Sequence, residues 1–289
     1  MKKIVIIGAS VSGHCIALGL RERDLSSQIT LITEENYPAY DRLRLPDFIS
    51  GITLEQNLFL GNEDFYQQHN INFLKSKKVA SLNTQKKLIY FKEKGNLEYD
   101  FLVIASGRSP SIADIPGAKK EGVFRLYNLD DTKELLKRYI SEPICIIGSN
   151  SLALKTAEAL AIKYSSEIKF LTHSVIDPSL VCQGIEVIQD DICEIIGDGQ
   201  TEAIKLKQGK VIAVSAVLFM DNYKSNIDFL KNSNVEIKDD FVVVNETLKT
   251  NIENIFACGS VINKDSVGIS LIAVESIIKQ MGQEVCQTL

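Results

Sequence analysis

Branched apolar residues fall in short blocks along this chain, and two of the blocks share one design. Ile4-Val5-Ile6-Ile7 runs into Gly8-Ala9-Ser10-Val11-Ser12-Gly13, and Ile144-Cys145-Ile146-Ile147 runs into Gly148-Ser149-Asn150-Ser151-Leu152-Ala153. A block with no polar alternation reads as a strand covered on both faces, the habit of parallel sheets. Past each turn the apolar positions spread to helical spacing: Cys15, Ile16, Leu18 and Leu20 in the first copy, Leu152, Ala153, Ala157 and Leu160 in the second. Blocks at 29–33, 86–91, 98–105, 168–172, 185–188, 203–206, 211–219 and 241–244 read as further strands, and about 269–285 as a closing amphipathic helix. Strand and helix patterns that alternate predict an α/β protein. The two turns are the one internal repeat visible in the sequence.

The first turn carries the chemistry of a dinucleotide site. Gly8 ends the strand tightly, Gly13 lets helix and strand approach, and the small Ser10 stands where a middle glycine is usual. A helix that starts near Ser12 presents unpaired N–H groups to a pyrophosphate, with Val11 lying between. About 20 residues on, the 29–33 strand delivers Glu34-Glu35, acids able to accept both hydrogen bonds of an adenosine ribose.

Composition narrows the class. A formal net charge of −5 among 289 residues speaks against nucleic-acid binding, and no stretch reaches the ~20 apolar residues of a membrane span. Lys2-Lys3 lead straight into a strand with no separate apolar signal region, so a cytoplasmic location is expected. The six cysteines contain no C-x-x-C pair and do not cluster with His14, His69 or His173; buried thiols are expected, with no metal site.

Four separated segments together resemble the FAD-dependent pyridine nucleotide-disulfide oxidoreductase superfamily: the Gly8 turn, Tyr40-Asp41-Arg42-Leu43-Arg44-Leu45-Pro46-Asp47, Leu102-Val103-Ile104-Ala105-Ser106-Gly107, and Thr250 through Ser260. The octet at 40–47 looks most like the rubredoxin reductase and nitrite reductase flavoprotein branch, which has no redox disulfide. The resemblance implies two Rossmann-like three-layer α/β domains. Residues 1–112 and 240–289 would bind FAD, and 113–239 would form an inserted, degenerate NAD(P)-binding-like domain. Larger relatives continue into a C-terminal interface domain that this chain is expected to lack.

Carried over by position, Gly8, Ser10, Val11, Ser12 and Gly13 correspond to the pyrophosphate loop, Glu34 with Glu35 to the ribose acid, Arg42 to an arginine near the FAD phosphates and flavin, and Val79 to an adenine contact. Ala105-Ser106-Gly107, followed by Arg108, corresponds to the segment that returns beside FAD, and Gly259-Ser260 to a Gly-Asp pair whose aspartate binds the ribityl chain. Relatives carry lysine at the position of Asp47 and glutamate at that of Lys155; here the charges are exchanged, which predicts a reversed ion pair beside the flavin with Lys155 supplying the cation.

The second turn departs from its pattern. Asn150 replaces the middle glycine, Ala153 the third, and Thr172-His173 the ribose acid. Ser174 to Gln183 is too short for the peripheral helix of relatives, and Asn222-Tyr223-Lys224-Ser225-Asn226 replaces a G-x-R-P-N loop at the nicotinamide end. NAD(P)H binding is therefore doubtful. The leading expectation is an oxidoreductase that moves electrons from NAD(P)H through FAD to a rubredoxin-like protein, a metal-containing reductase or a small oxidant. The alternatives are an electron-relay or structural subunit of a larger complex that has lost NAD(P)H binding, and a nucleotide sensor without turnover. The acceptor, the choice of NADH or NADPH, and the oligomeric state are not encoded legibly.

Overall fold

The structure, a computed structural model, describes residues 1–137, 143–164, 167–176, 181–264 and 267–282. Its Cα packing divides the chain into two units: Met1–Asp41 with Phe59–Arg108 and Ser225–Leu289, and Arg42–Leu58 with Ser109–Lys224.

The first unit is built on a five-stranded parallel sheet in the order Ile255–Ala257, Phe101–Ile104, Lys3–Ile7, Gln28–Ile32, Ile71–Leu74. The turn-bearing strand sits at the centre, where both faces are covered, and Ile4 and Ile6 are fully buried. The Val11–Arg23 helix inserts Ile16, Ala17 and Leu20 into this core and packs on the Val267–Gln280 helix, where Gly19 admits Val274. That helix ends at Gln280, short of the expected 285, with Gly282 at φ +76° just past it; residues 283–289 lie outside the described residues. Buried Arg21 ties the far end of the Val11–Arg23 helix down by donating to the carbonyls of Asp24, Ser27, His69 and Asn70.

The second unit repeats the plan. Its parallel sheet runs Ile185–Ile188, Ile168–Leu171, Ile144–Ile147, Ala216–Phe219, Val123–Arg125, again with the turn-bearing strand central. Both units also place a three-stranded antiparallel meander between the third and fourth parallel strands counted along the chain from the turn-bearing one. It comprises Val79–Asn83, Leu88–Phe91 and Asn96–Glu98 in the first, and Ile192–Ile196, Ala203–Leu206 and Val211–Ala213 in the second. The repeat thus extends far beyond the two turns.

Two expectations shift. The 211–219 block is two strands, because Val211–Ala213 closes the meander while Ala216–Phe219 enters the parallel sheet. The segment 42–58, grouped by sequence with the first unit, packs with the second: Ile49 is fully buried among Leu126, Leu135, Ala153 and Ala157, and its Leu45–Ser50 helix lies on the Ser151–Tyr164 helix. Residues 225–239 conversely join the first unit, with Phe229, Leu230 and Val235 in its core. Residues 177–180, within the connection expected to be too short for a helix, lie outside the described residues. No described helix is long and apolar enough to cross a membrane.

Candidate functional site

In the first unit the central strand ends at Gly8, whose N–H donates to Ile32 O at 2.8 Å and whose φ is +107°. A Cβ there would stand 2.2 Å from Ala105 O, and a Cβ at Gly13 would stand 1.9 Å from Gly8 O. Both glycines are steric necessities of a turn folded back on itself. Ser10 precedes the helix in extended conformation and makes no side-chain capping bond. The positive helix end is therefore left for an anion.

Two distant segments complete the cradle. Ala105 and Ser106 abut Gly8, and Gly259, at φ +83°, comes so close to Ser12 that a Cβ would lie 2.8 Å from its Oγ. Ser260 follows in the short Gly259–Ile262 turn of helix. Ser106 Oγ is buried with no hydrogen-bond partner among the described residues, an orphan that a bound group would satisfy. At the neighbouring strand end, Ser76 N donates to Glu35 O at 3.2 Å and Lys77 N to Thr33 O at 2.9 Å, which ties the segment leading to Val79 to the stretch that carries the two acids. Glu35 accepts from the Tyr40 hydroxyl at 2.6 Å, while exposed Glu34 pairs with Lys78 at 2.8 Å. Arg108 lies 3.8 Å from Asp240 and stacks over Phe241 at 4.6 Å. The cradle fits a dinucleotide: close backbone approach, an uncapped helix end, an orphan hydroxyl and carboxylates one strand over.

Three expected site residues belong by packing to the second unit. Arg42 donates to Tyr127 O at 3.2 Å and stacks over the Tyr127 ring at 4.1 Å. Asp47 and Lys155 sit on helices that pack together, yet their charges do not pair. Asp47 lies 3.7 Å from Arg44 Nε, and exposed Lys155 has no ion pair within 4.0 Å among the described residues. Arg44, a cation one turn away, takes the pairing with Asp47 that the exchanged-charge argument gave to Lys155.

The second turn has a different construction. Gly148 donates to Leu171 O at 3.0 Å, the counterpart of the Gly8 bond, but its φ lies outside the left-handed region. Asn150 Oδ1 accepts from Ala153 N at 2.9 Å while its Nδ2 donates to Met220 O at 3.2 Å. The side chain that in sequence stands as a replaced glycine is thus the cap of the Ser151–Tyr164 helix. Ser149 donates to the Asp221 carboxylate, which places an acid beside the turn. Buried Thr172 accepts from Ser174 N at 3.1 Å, and His173 Nε2 lies 2.6 Å from Asp191. Lys207, 2.7 Å from the same carboxylate, holds Asp191 below the usual carboxylate range. The cap was legible as Asn before a helical run, a signal overlooked because the position was read as a lost glycine.

Cys15, Cys145, Cys182, Cys193 and Cys258 are free thiols, and burial pushes the Cys145 thiol up. Among the described residues no group of three or more His, Cys, Asp or Glu could hold a metal ion.

The chain is similar to an NADH oxidase of Methanocaldococcus jannaschii, 27% identical over 281 residues that cover 89% of this chain and 62% of that protein. It is 23% identical to the assimilatory nitrate reductase electron transfer subunit of Bacillus subtilis, over 94% of this chain and 37% of that protein. Similarity to the NADH-rubredoxin oxidoreductase of Clostridium acetobutylicum is 26%, over 90% of this chain and 68% of that protein. The chain thus spans less than two thirds of the length of the first two relatives, 62% and 37%. In fold it resembles the covalent putidaredoxin reductase-putidaredoxin complex, at a TM-score of 0.86 and 19% identity over 98% of this chain and 76% of that one. It likewise resembles a water-forming NADH oxidase from Lactobacillus brevis, at 0.86 and 14% over 99% and 70%. The profile of the pyridine nucleotide-disulphide oxidoreductase family matches residues 2–280, and with the two Rossmann-like units it shows that the chain belongs to that family.

Proposed function

We propose that this chain is an FAD-dependent oxidoreductase that passes electrons from NAD(P)H to a protein or small-molecule acceptor without a redox disulfide. The cradle at Gly8 and Gly13 carries the reading, since neither position admits a Cβ and the helix end they expose is uncapped. Gly8, Ser10, Val11, Ser12 and Gly13 would hold the pyrophosphate, Glu34 or Glu35 the ribose beside Val79, and Ala105, Ser106, Gly107, Arg108, Gly259 and Ser260 the flavin-side walls. Bound FAD supplies hydride acceptance and onward electron transfer, while the protein positions it and sets its potential. Relatives named for rubredoxin and putidaredoxin support a protein electron carrier as acceptor. Free thiols accord with a reducing, cytoplasmic setting.

Arg42, Lys155 and Asp47 remain proposed contributors at the flavin, the last two as separate charges. Their neutral replacements should then act additively on flavin potential. A second reading, an electron-relay or structural subunit with NAD(P)H binding lost, is favoured by the Asn150 cap. One measurement tests both readings and a second separates them. A yellow chromophore at one FAD per chain on purification supports both and its absence rejects both; anaerobic bleaching by NADH supports the enzyme alone.

A further inference from the structure

We infer that Asn226 is a positioning residue for the flavin cradle, not part of the nicotinamide loop to which its sequence context points. It sits in the first unit. Its side-chain Nδ2 donates to Ser106 O at 3.0 Å and its backbone N–H to Gly107 O at 2.9 Å. One residue therefore satisfies two successive carbonyls of the segment that follows the Phe101–Ile104 strand. Gly107, at φ +67°, turns the backbone away from the parallel sheet, and beyond it Arg108 and Ser225 lie in a short two-stranded ladder that Asn226 directly follows. The segment after the Phe101–Ile104 strand is also the one whose Ala105 and Ser106 backbone atoms form the wall against Gly8, and whose Ser106 hydroxyl is the buried orphan.

The clamp is itself anchored. Asp240 accepts from Ser225 N at 2.7 Å and lies 3.8 Å from Arg108 Nη2, while the Arg108 guanidinium rests on Phe241. Residues 106–108 leave the first unit and 225–226 re-enter it, so the two chain crossings are fastened to each other at the cradle wall. Two carbonyls fixed from one side orient the intervening amide and the Ser106 hydroxyl toward the other. The inference rests on the FAD reading of this cradle and adds a residue to it.

Asn226→Asp tests it, because the replacement keeps the size and the backbone N–H but sets an oxygen against Ser106 O. FAD affinity of the full chain should fall about tenfold, as expected from one lost bond and an opposed pair of acceptors. The flavin absorbance band of the remaining complex should shift. Without added FAD, the Ala105 amide, which donates to Ile7 O at 2.8 Å, should exchange faster with solvent than in the unaltered chain. Asn251→Ala is the control: it removes bonds to Asn234 O and from Glu236 N, each 2.8 Å, in the same unit away from the cradle. It should lower thermal stability with no change in FAD affinity or in Ala105 exchange. Unchanged affinity and exchange in Asn226→Asp, or an equal loss of affinity in Asn251→Ala, overturns the clamp while leaving the FAD reading intact. An unaltered chain that takes up no FAD overturns both.

Discussion

The two glycine turns show how far one architecture can diverge at a single surface. Each stands on the central strand of a five-stranded parallel sheet, with the two strands that follow it in the chain laid in sequence on one side; each glycine N–H bonds the neighbouring strand, and each turn opens a helix. In the first, left-handed Gly8 curls onto Gly13 and leaves the helix end without a side-chain cap. In the second, Ala153 carries the methyl group that Gly13 cannot, Gly148 leaves the left-handed region, and Asn150 has already satisfied a leading N–H. A capped helix end with an acid beside it, Asp221, has less to offer a pyrophosphate. The difference lies in who completes the helix, a ligand or the chain itself.

The largest effect is expected at Gly13. Gly13→Leu must displace Gly8 O, which a Cβ alone would approach to 1.9 Å, so purified protein should carry almost no FAD by absorbance ratio. Full occupancy in this variant would erase the distinction between the turns.

Acid should separate the two helices. His14, next to Gly13, is buried against Tyr66, whose hydroxyl lies 2.8 Å from its Nδ1, and burial, with His69 nearby, lowers its pKa from 6.5 to about 4. The folded state thus prefers the neutral ring. Stability from this source is complete above pH 6.5 and is lost as pH falls from 6.5 toward 4, by an amount on the order of 3 kcal/mol. The second helix has Leu154 at that place. Hydrogen exchange at pH 5 should therefore accelerate in Val11–Arg23 more than in Ser151–Tyr164, and His14→Gln should flatten the dependence. Equal acceleration in both helices would reject this origin.

Much of this arrangement was legible because it is written in local pattern. Apolar blocks without alternation mark strands buried on both faces, and Gly8 and Gly13 mark backbone approach at fixed spacing. Most of what was not legible depends on partners distant in sequence. Ile49 looks no different from other core isoleucines, and only packing assigns segment 42–58 to the second unit. Asn226 stands 120 residues from Ser106, and no spacing rule links them. Asp47 and Lys155 were paired by analogy, whereas Arg44 on the adjoining turn takes the carboxylate.

Restoring the second turn should give a moderate gain. If the Asn150 cap and the missing acid are what separate the sites, NADH binding to the unaltered chain should be poorer than ~1 mM, above the ordinary range of enzyme KM. Asn150→Gly exposes the helix end at a cost of only a few tenths of a kcal/mol, about what glycine forfeits as a cap. Combined with Thr172→Glu it should tighten NADH about tenfold, read by anaerobic titration. Bleaching of the unaltered protein at micromolar NADH would break the comparison outright.

The smallest effect isolates capping from ligand binding. Asn150→Ala removes an acceptor that Ala153 N uses at 2.9 Å, so it should destabilise the chain by about 1 kcal/mol. Ser10→Ala removes no capping bond, so it should change stability within about 0.5 kcal/mol in the absence of FAD. With FAD added the order should narrow or reverse. Stabilisation by ligand scales with affinity, and Ser10 lies at the helix end proposed to receive the pyrophosphate whereas Asn150 does not. Paired denaturation curves with and without FAD supply the check: an equal FAD-dependent gain in both variants would mean that Ser10 takes no part in the cradle, and the contrast between open and capped helix ends would then rest on the glycines alone.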